Sequence, residues 1–274
     1  MDQKDVELSE LEGKKILFVG GSSTTFSVDP LIIGEEVGLV SYNYGGSAQM
    51  GPDYVFERAK KHLKSGDVLV IGIEPESLNG LDSKAGYALG KRLAVRNRDL
   101  ALAKTITGES PVQEWMAALR PGMRDVIVST ARRIKGGRPY AYTMDDSKPK
   151  GRLELAEIEF RLPPVKFSGT EFIDDSGLRL LEDIANYAYT NGLQVVYAIP
   201  WKGVESDMKA AEAVLRKQFL ARVETVLPVL KDESLGLVDG LNGFSDTHYH
   251  MEAELSAKRS HFLADALRRF LDLQ

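Results

Sequence analysis

The chain has 274 residues, of which 43% are hydrophobic and 27% are charged, and its formal net charge is −5. This composition is ordinary for a folded globular protein, and the length allows one α/β domain with an insertion, spanning residues 1–274. The sequence contains no cysteine, which excludes disulfide bonds and thiolate metal sites.

The first residues, "MDQKDVELSELEGKK", are polar and charged, unlike the apolar centre of a secretory signal peptide. No later segment approaches the ~20 apolar residues of a membrane span. We therefore expect no membrane span. As written, the sequence indicates a cytoplasmic protein, or a periplasmic or extracellular one if an N-terminal signal or anchor has been removed.

Short apolar runs alternate with segments of helical periodicity along the chain. The runs predict strands over 15–20, 37–43, 67–73, 193–200 and 235–240, and the periodicity predicts helices over 53–63, 176–190, 205–227 and 252–273. Asp53 is expected to cap the first of these helices. Buried strands that alternate with helices favour a three-layer α/β/α domain of the flavodoxin type, with about five parallel strands.

Residues 84–152 interrupt this alternation. They hold fifteen Lys/Arg against six Asp/Glu, a charge of +9 that leaves −14 for the rest of the chain. We interpret them as a basic helical insertion that caps or borders the functional crevice. A basic face can attract an anionic glycan or a protein partner, or it can simply be solvated. No nucleic-acid-binding signature accompanies it, so nucleic acid is not an expected partner.

Polar motifs follow four of the predicted strands, where an open α/β sheet places its functional crevice. They are "GGSST" at 20–24, "NYGG" at 43–46, "GIEPE" at 72–76 and "DTHYH" at 246–250. A serine hydroxyl becomes an effective nucleophile when an imidazole removes its proton and a carboxylate orients that imidazole. Ser22, His250 and Asp246 are the candidates for these three roles, and His248 is the alternative base.

The order of these motifs resembles the SGNH/GDSL hydrolase superfamily over most of the chain outside 84–152. "GGSSTTFSVDP" is similar to the "GGSN-x-x-F-G-I-D" opening of polysaccharide-associated members, and "YHMEAELSAKRS" to their "YHLN-x-x-G" segment. The resemblance implies that Ser22 is the nucleophile and that His250 is the base with Asp246 behind it. It also implies an oxyanion hole formed by the Ser22 and Gly45 N–H groups, together with position 74, where the family has asparagine.

Two positions depart from the family pattern. Glu74 replaces the asparagine, and a carboxylate accepts hydrogen bonds unless it is protonated. The family carboxylate lies three residues before the histidine, whereas Asp246 lies four before His250. The activity implied is a cofactor-free acyl ester hydrolase or O-acyltransferase that acts on an acylated, typically acetylated, carbohydrate or another small ester.

Other interpretations of the same residues stay open. Glu74 and the Asp246–His250 spacing favour a non-catalytic SGNH-like protein that binds a glycan or assists assembly. Asp246, His248 and His250 could instead be the metal ligands of a metal-dependent hydrolase. Ser22 could be a turn or helix-capping residue, or part of a phosphate loop, although no phosphate-loop pattern surrounds it.

Overall fold

A computed structural model describes residues 1–47, 50–80, 148–153 and 171–272. Its main sheet is parallel and has the strand order β2-β1-β3-β4. The strands are β1 (Lys15–Gly20), β2 (Val40–Asn43), β3 (Val68–Gly72) and β4 (Gln194–Tyr197). The predicted α/β class with a parallel sheet is therefore confirmed.

Helices cover both faces of the sheet. The α-helices of the described residues are α1 (Asp2–Ser9), α2 (Ser22–Ser27), α3 (Pro30–Val37), α4 (Pro52–Ala59), α5 (Asp175–Thr190), α6 (Lys209–Val223) and α7 (Ala253–Asp272). Side chains alternate across a strand, so Ile16 and Phe18 pack with α3 and α7, while Leu17 and Val19 pack with α4, α5 and α6. Burial on both faces explains why β1 is a continuous apolar run.

Local sequence sets the helix starts near the site. Asp29 caps α3, because its Oδ1 accepts the Leu31 N–H at 3.0 Å. The prediction that Asp53 caps α4 was wrong. Gly51 is the capping residue and Pro52 opens the helix, since proline lacks the N–H that a first-turn residue would leave unpaired, and Asp53 falls inside the first turn.

The predicted fifth strand does not join the main sheet. Residues 237–239 form β6 (Leu237–Asp239), which pairs in parallel with β5 (Lys202–Val204) in a separate two-stranded sheet. Beyond β4, a single bridge links Tyr197 to Val229. Pro228 precedes that bridge and has no N–H to extend the ladder. The main sheet of the described residues thus has four strands rather than about five.

The predicted insertion over 84–152 lies outside the described residues except for its last five. There, the buried Arg152 pairs with Asp29, and its Nη2 donates to Ser256 Oγ at 3.4 Å. Gly151 has a φ of 83°, and a Cβ atom placed on it would lie 2.2 Å from the Asn43 carbonyl oxygen. This short stretch is therefore packed tightly between the end of β2 and α7.

In the part of the chain that the structure describes, no helix is both long and apolar enough to cross a membrane.

Candidate active site

Ser22 opens helix α2 directly after the turn that ends β1. The residue is half-buried, and the helix cap is Gly21, which provides no side-chain capping bond. The Ser22 hydroxyl forms no hydrogen bond with any described residue. Ser22 is therefore not the capping residue of α2, and its hydroxyl is not committed to a structural contact within the described ranges.

His250 and Asp246 form a hydrogen-bonded pair in the loop before α7. His250 Nδ1 lies 2.7 Å from Asp246 Oδ1. The His250 N–H donates to Thr247, both to its carbonyl oxygen at 3.2 Å and to its Oγ1 at 3.1 Å, so the loop turns tightly. This turn lets a carboxylate four residues before the histidine reach the ring. With Nδ1 donating to Asp246, Nε2 of the neutral ring is left as the proton acceptor.

The His250 ring packs against the helix that carries Ser22. The rings of His250 and Phe26 have centroids 4.4 Å apart, and Ser27 Oγ donates to the Tyr249 carbonyl oxygen at 2.9 Å. Ser22 and Phe26 are four residues apart on α2 and so share a face. The imidazole therefore contacts the residue that lies one helical turn after Ser22 on α2. No hydrogen bond joins the two side chains in the described structure.

His248, the alternative base, occupies a different environment. Its ring lies against Tyr249 with centroids 5.2 Å apart, and its carbonyl oxygen accepts the Gly203 N–H at 2.9 Å. Burial, together with the positive charge of Lys202, lowers the pKa of His248 to about 4. Such a group is a weaker base than one poised near neutrality. Among the described residues, no three metal-ligating side chains gather into a metal site, so Asp246, His248 and His250 do not form one.

The loop after β2 is held by side chains on both sides. Asn43 Nδ2 donates to the carbonyl oxygens of Thr24 at 2.7 Å and Val28 at 2.8 Å. The Gly45 N–H donates to Asn43 Oδ1 at 3.0 Å. Lys4 Nζ donates to the carbonyl oxygens of Asn43 at 2.9 Å and Gly45 at 2.8 Å, and burial lowers the pKa of Lys4 to about 7. A substrate oxygen could reach the Gly45 N–H only by displacing the Asn43 amide.

Glu74, at the position of the family asparagine, turns toward the start of α2. Its side chain is buried, and its Oε1 accepts the Ser23 N–H at 2.8 Å. The carboxyl group lies flat against Gly21, where a Cβ atom would approach Oε2 to 2.2 Å. Burial raises the pKa of Glu74 above its usual range, against the lowering effect of the Ser23 N–H.

Sequence reasoning missed a buried ionic cluster beneath the crevice. Lys202 Nζ lies 2.6 Å from Glu171 and 3.3 Å from Glu212, and Arg216 Nε lies 2.6 Å from Glu171. All four side chains are almost fully buried. Although burial alone would raise it, Arg216 and Lys202 hold the pKa of Glu171 below its usual range. We call these four residues the ionic cluster.

The ionic cluster holds the loop that carries His250. The Tyr249 hydroxyl donates to Glu76 Oε2 at 2.8 Å and accepts from Arg216 Nη2 at 3.3 Å. Burial raises the pKa of Tyr249 well above its ordinary value, so the hydroxyl keeps its proton. The only sequence signals for this cluster were a lysine two residues after the 193–200 strand and a Glu212–Arg216 pair one helical turn apart. A solvated helix face gives the same pattern.

No protein-family model matches this sequence, and no curated protein matches it significantly.

Proposed function

We propose that this chain is a serine-dependent acyl ester hydrolase or O-acyltransferase of the SGNH type. Ser22 is the nucleophile, His250 the general base, and Asp246 the carboxylate that orients the imidazole. One observation carries the proposal: His250 Nδ1 is paired with Asp246 at 2.7 Å while its ring packs on Phe26, four residues after Ser22 on α2. The imidazole has the carboxylate partner that its role requires, and the proposal is that Nε2 takes the Ser22 proton when substrate is bound.

The chemistry proceeds in two halves. His250 Nε2 takes the hydroxyl proton as Ser22 Oγ bonds to the acyl carbon, and Asp246 stabilises the imidazolium. The imidazolium then passes the proton to the leaving alcohol oxygen as the ester C–O bond breaks, which leaves an acyl group on Ser22. Water or a sugar hydroxyl attacks this acyl-enzyme as His250 accepts its proton, and the imidazolium returns that proton to Ser22 Oγ as the acyl–serine bond breaks. Hydrolysis and transfer differ only in that acceptor.

The proposed substrate is an acylated, typically acetylated, carbohydrate. The "GGSSTTFSVDP" and "YHMEAELSAKRS" segments support this class by their similarity to polysaccharide-associated SGNH-like proteins. The Ser22 and His250 positions fall within these two segments. The chemistry itself requires only an ester whose carbonyl carbon reaches Ser22 Oγ.

Labelling and turnover test the proposal together. One molecule of a fluorophosphonate probe should attach to each wild-type chain, as measured by intact-protein mass spectrometry. Wild type should also hydrolyse p-nitrophenyl acetate. Ser22→Ala should abolish labelling, and His250→Ala should lower kcat about 10³-fold or more. Ser206→Ala removes an exposed hydroxyl and serves as the matched control. Activity that persists in Ser22→Ala would rule out the proposed nucleophile.

A second candidate is a non-catalytic SGNH-like glycan-binding or assembly protein. Two observations favour it: the Gly45 N–H is already engaged by Asn43, and Glu74 presents a carboxyl group where the family has an amide. This candidate predicts no labelling of Ser22 and no turnover in wild type. It also predicts that Ser22→Ala binds an acetylated oligosaccharide as tightly as wild type does in calorimetry.

A further inference from the structure

The Glu74 carboxyl group has one committed oxygen and one uncommitted oxygen. Oε1 accepts the Ser23 N–H, whereas Oε2 is buried and has no hydrogen-bond partner within the described structure. The whole side chain is only 4% exposed. A buried polar atom without a partner is costly, and a buried ionised oxygen without one is far more costly.

Among the residues that the structure describes, no positive charge compensates this carboxyl group. Glu74 forms no ion pair with any described residue, and α2 contributes only "SSTTFS" to the contact. On the turn that follows β3, Glu76 adds a like charge that raises the pKa of Glu74 further. On β4, the Tyr197 hydroxyl donates to the Ile73 carbonyl oxygen at 2.6 Å rather than to Glu74. The surroundings therefore favour the protonated, neutral form.

A cavity of about 10 Å³ lies beside this carboxyl group. That is room for about one water molecule, or one oxygen atom of a ligand. The cavity is where the loops after β1, β2 and β3 meet. Its lining residues other than Glu74 have no ionisable side chain: Gly20, Gly21, Ser47, Gly51, Pro52, Val55, Ile73 and Ser77.

We propose that Glu74 is a carboxylic acid that donates its Oε2 proton to the oxyanion formed when Ser22 attacks the ester. This role rests on the proposed function. The neutral acid offers one O–H donor where the family amide offers an N–H. It also explains how a glutamate stands beside a developing negative charge without repelling it. The Ser23 N–H fixes Oε1, which leaves Oε2 as the donating oxygen. The proton stays on Glu74 through the step and strengthens its bond to the oxyanion as charge develops.

The protonation state of Glu74 can be tested without measuring ester turnover. Urea unfolding of wild type and Glu74→Gln is compared from about pH 4.5 to pH 8, with Glu182→Gln on the exposed face of α5 as the matched control. A raised pKa in the folded state means that the folded protein binds more protons than the unfolded chain. Stability relative to Glu74→Gln should therefore fall as pH rises above about 4.3 and level off above the folded-state pKa. Glu182→Gln should show no such trend.

The donor role is tested by ester turnover. Glu74→Gln keeps a donor of the same size, so it should keep kcat within a few-fold at neutral pH. Wild type should show a decline of kcat/KM at higher pH as Glu74 ionises, and Glu74→Gln should lose that decline. Glu74→Ala should lower kcat by about 10²- to 10³-fold. Because Glu74→Ala also enlarges the cavity, its folding is checked by circular dichroism, and the Gln variant carries the test if it fails to fold.

Three results would overturn the donor role. These are a pH-independent stability difference between wild type and Glu74→Gln, full activity in Glu74→Ala, or a tenfold gain of kcat in Glu74→Gln from removal of a negative charge. If Ser22→Ala retains wild-type turnover, the proposed function fails and the donor role with it. In that case the unfolding experiment still reports the protonation state of Glu74, so the two failures are distinguishable.

Discussion

The Tyr249 hydroxyl connects the ionic cluster to the loop that carries His250, so Tyr249→Phe should weaken both the fold and the catalysis. The substitution keeps the ring and removes the bonds to Glu76 at 2.8 Å and to Arg216 at 3.3 Å, with a longer contact to Glu171 Oε1 at 3.4 Å. Arg216 keeps its two bonds to Glu171, at 2.6 and 3.2 Å, so the ionic cluster itself stays paired. The change thus isolates one anchor of the loop.

The magnitude follows from the partner that is lost. A hydrogen bond to a charged group contributes about 1.5–3 kcal/mol. The Glu76 side chain is 28% exposed, so water replaces part of the lost bond, and we expect a stability loss of about 1.5–2 kcal/mol. Release of the loop should move the imidazole relative to Ser22. Since small misplacements of reacting groups are costly, we expect kcat to fall about tenfold, or about 1.4 kcal/mol in the barrier.

Urea unfolding and p-nitrophenyl acetate kinetics measure the two effects. Tyr187→Phe is the matched control, because the Tyr187 hydroxyl donates to a neutral acceptor, the Lys60 carbonyl oxygen at 3.2 Å, on the side of α5. It should cost about 1 kcal/mol of stability and leave kcat unchanged. If Tyr249→Phe loses stability but keeps the wild-type kcat, Tyr249 does not position His250.

Three further substitutions test other features. Arg216→Met leaves Glu171 with a single cation and should lower the free energy of unfolding in urea by about 3–5 kcal/mol. Adding Glu171→Gln to that variant should restore part of the lost stability. A loss under about 1 kcal/mol for Arg216→Met would contradict a strong Arg216–Glu171 pair. Gly151→Ala should lower the melting temperature, because the new Cβ would meet the Asn43 carbonyl oxygen at 2.2 Å and the φ of 83° disfavours any side chain; an unchanged melting temperature would show that the contact relaxes freely. His248 has its pKa lowered to about 4 by burial, so wild type should lose stability as pH falls from about 6.5 to about 4, and His248→Asn should reduce that loss. The dependence of kcat/KM on pH above pH 5 should be the same in both proteins. If His248→Asn instead loses the rise of kcat/KM with increasing pH, His248 is the base.

The fold class could be predicted because its signals are local. The apolar runs over 15–20 and 67–73 became β1 and β3 within a residue at each end. The partner of a short strand is not a local property, so the sequence could not reveal that 237–239 pairs with β5 instead of β4. The missing N–H of Pro228 matters only once that residue is known to lie beside Tyr197.

The candidate site likewise has features that the sequence predicts and others that only the structure reveals. Residue types and motif order suggested Ser22, His250 and Asp246, but the four-residue spacing of the last two depends on the turn at Thr247. The bond from the Gly45 N–H to Asn43 is a local Asx-type contact. The bonds from Asn43 to Thr24 and from the Ser23 N–H to Glu74 are tertiary contacts without a sequence pattern. The charges of Lys202 and Arg216 look like solvated surface in one dimension, and only their burial reveals the ionic cluster.

The bonds from Lys4 to the loop after β2 have a practical consequence for anyone who handles this protein. Helix α1 contacts the loop after β2 through Lys4, so a purification tag fused before α1 could disturb the backbone at Asn43 and Gly45. Helix α7 leaves the crevice after Met251 and extends over 20 residues, roughly 30 Å. An affinity handle or an immobilisation linker attached beyond α7 would sit roughly a helix length away from the His250 loop and from the proposed site.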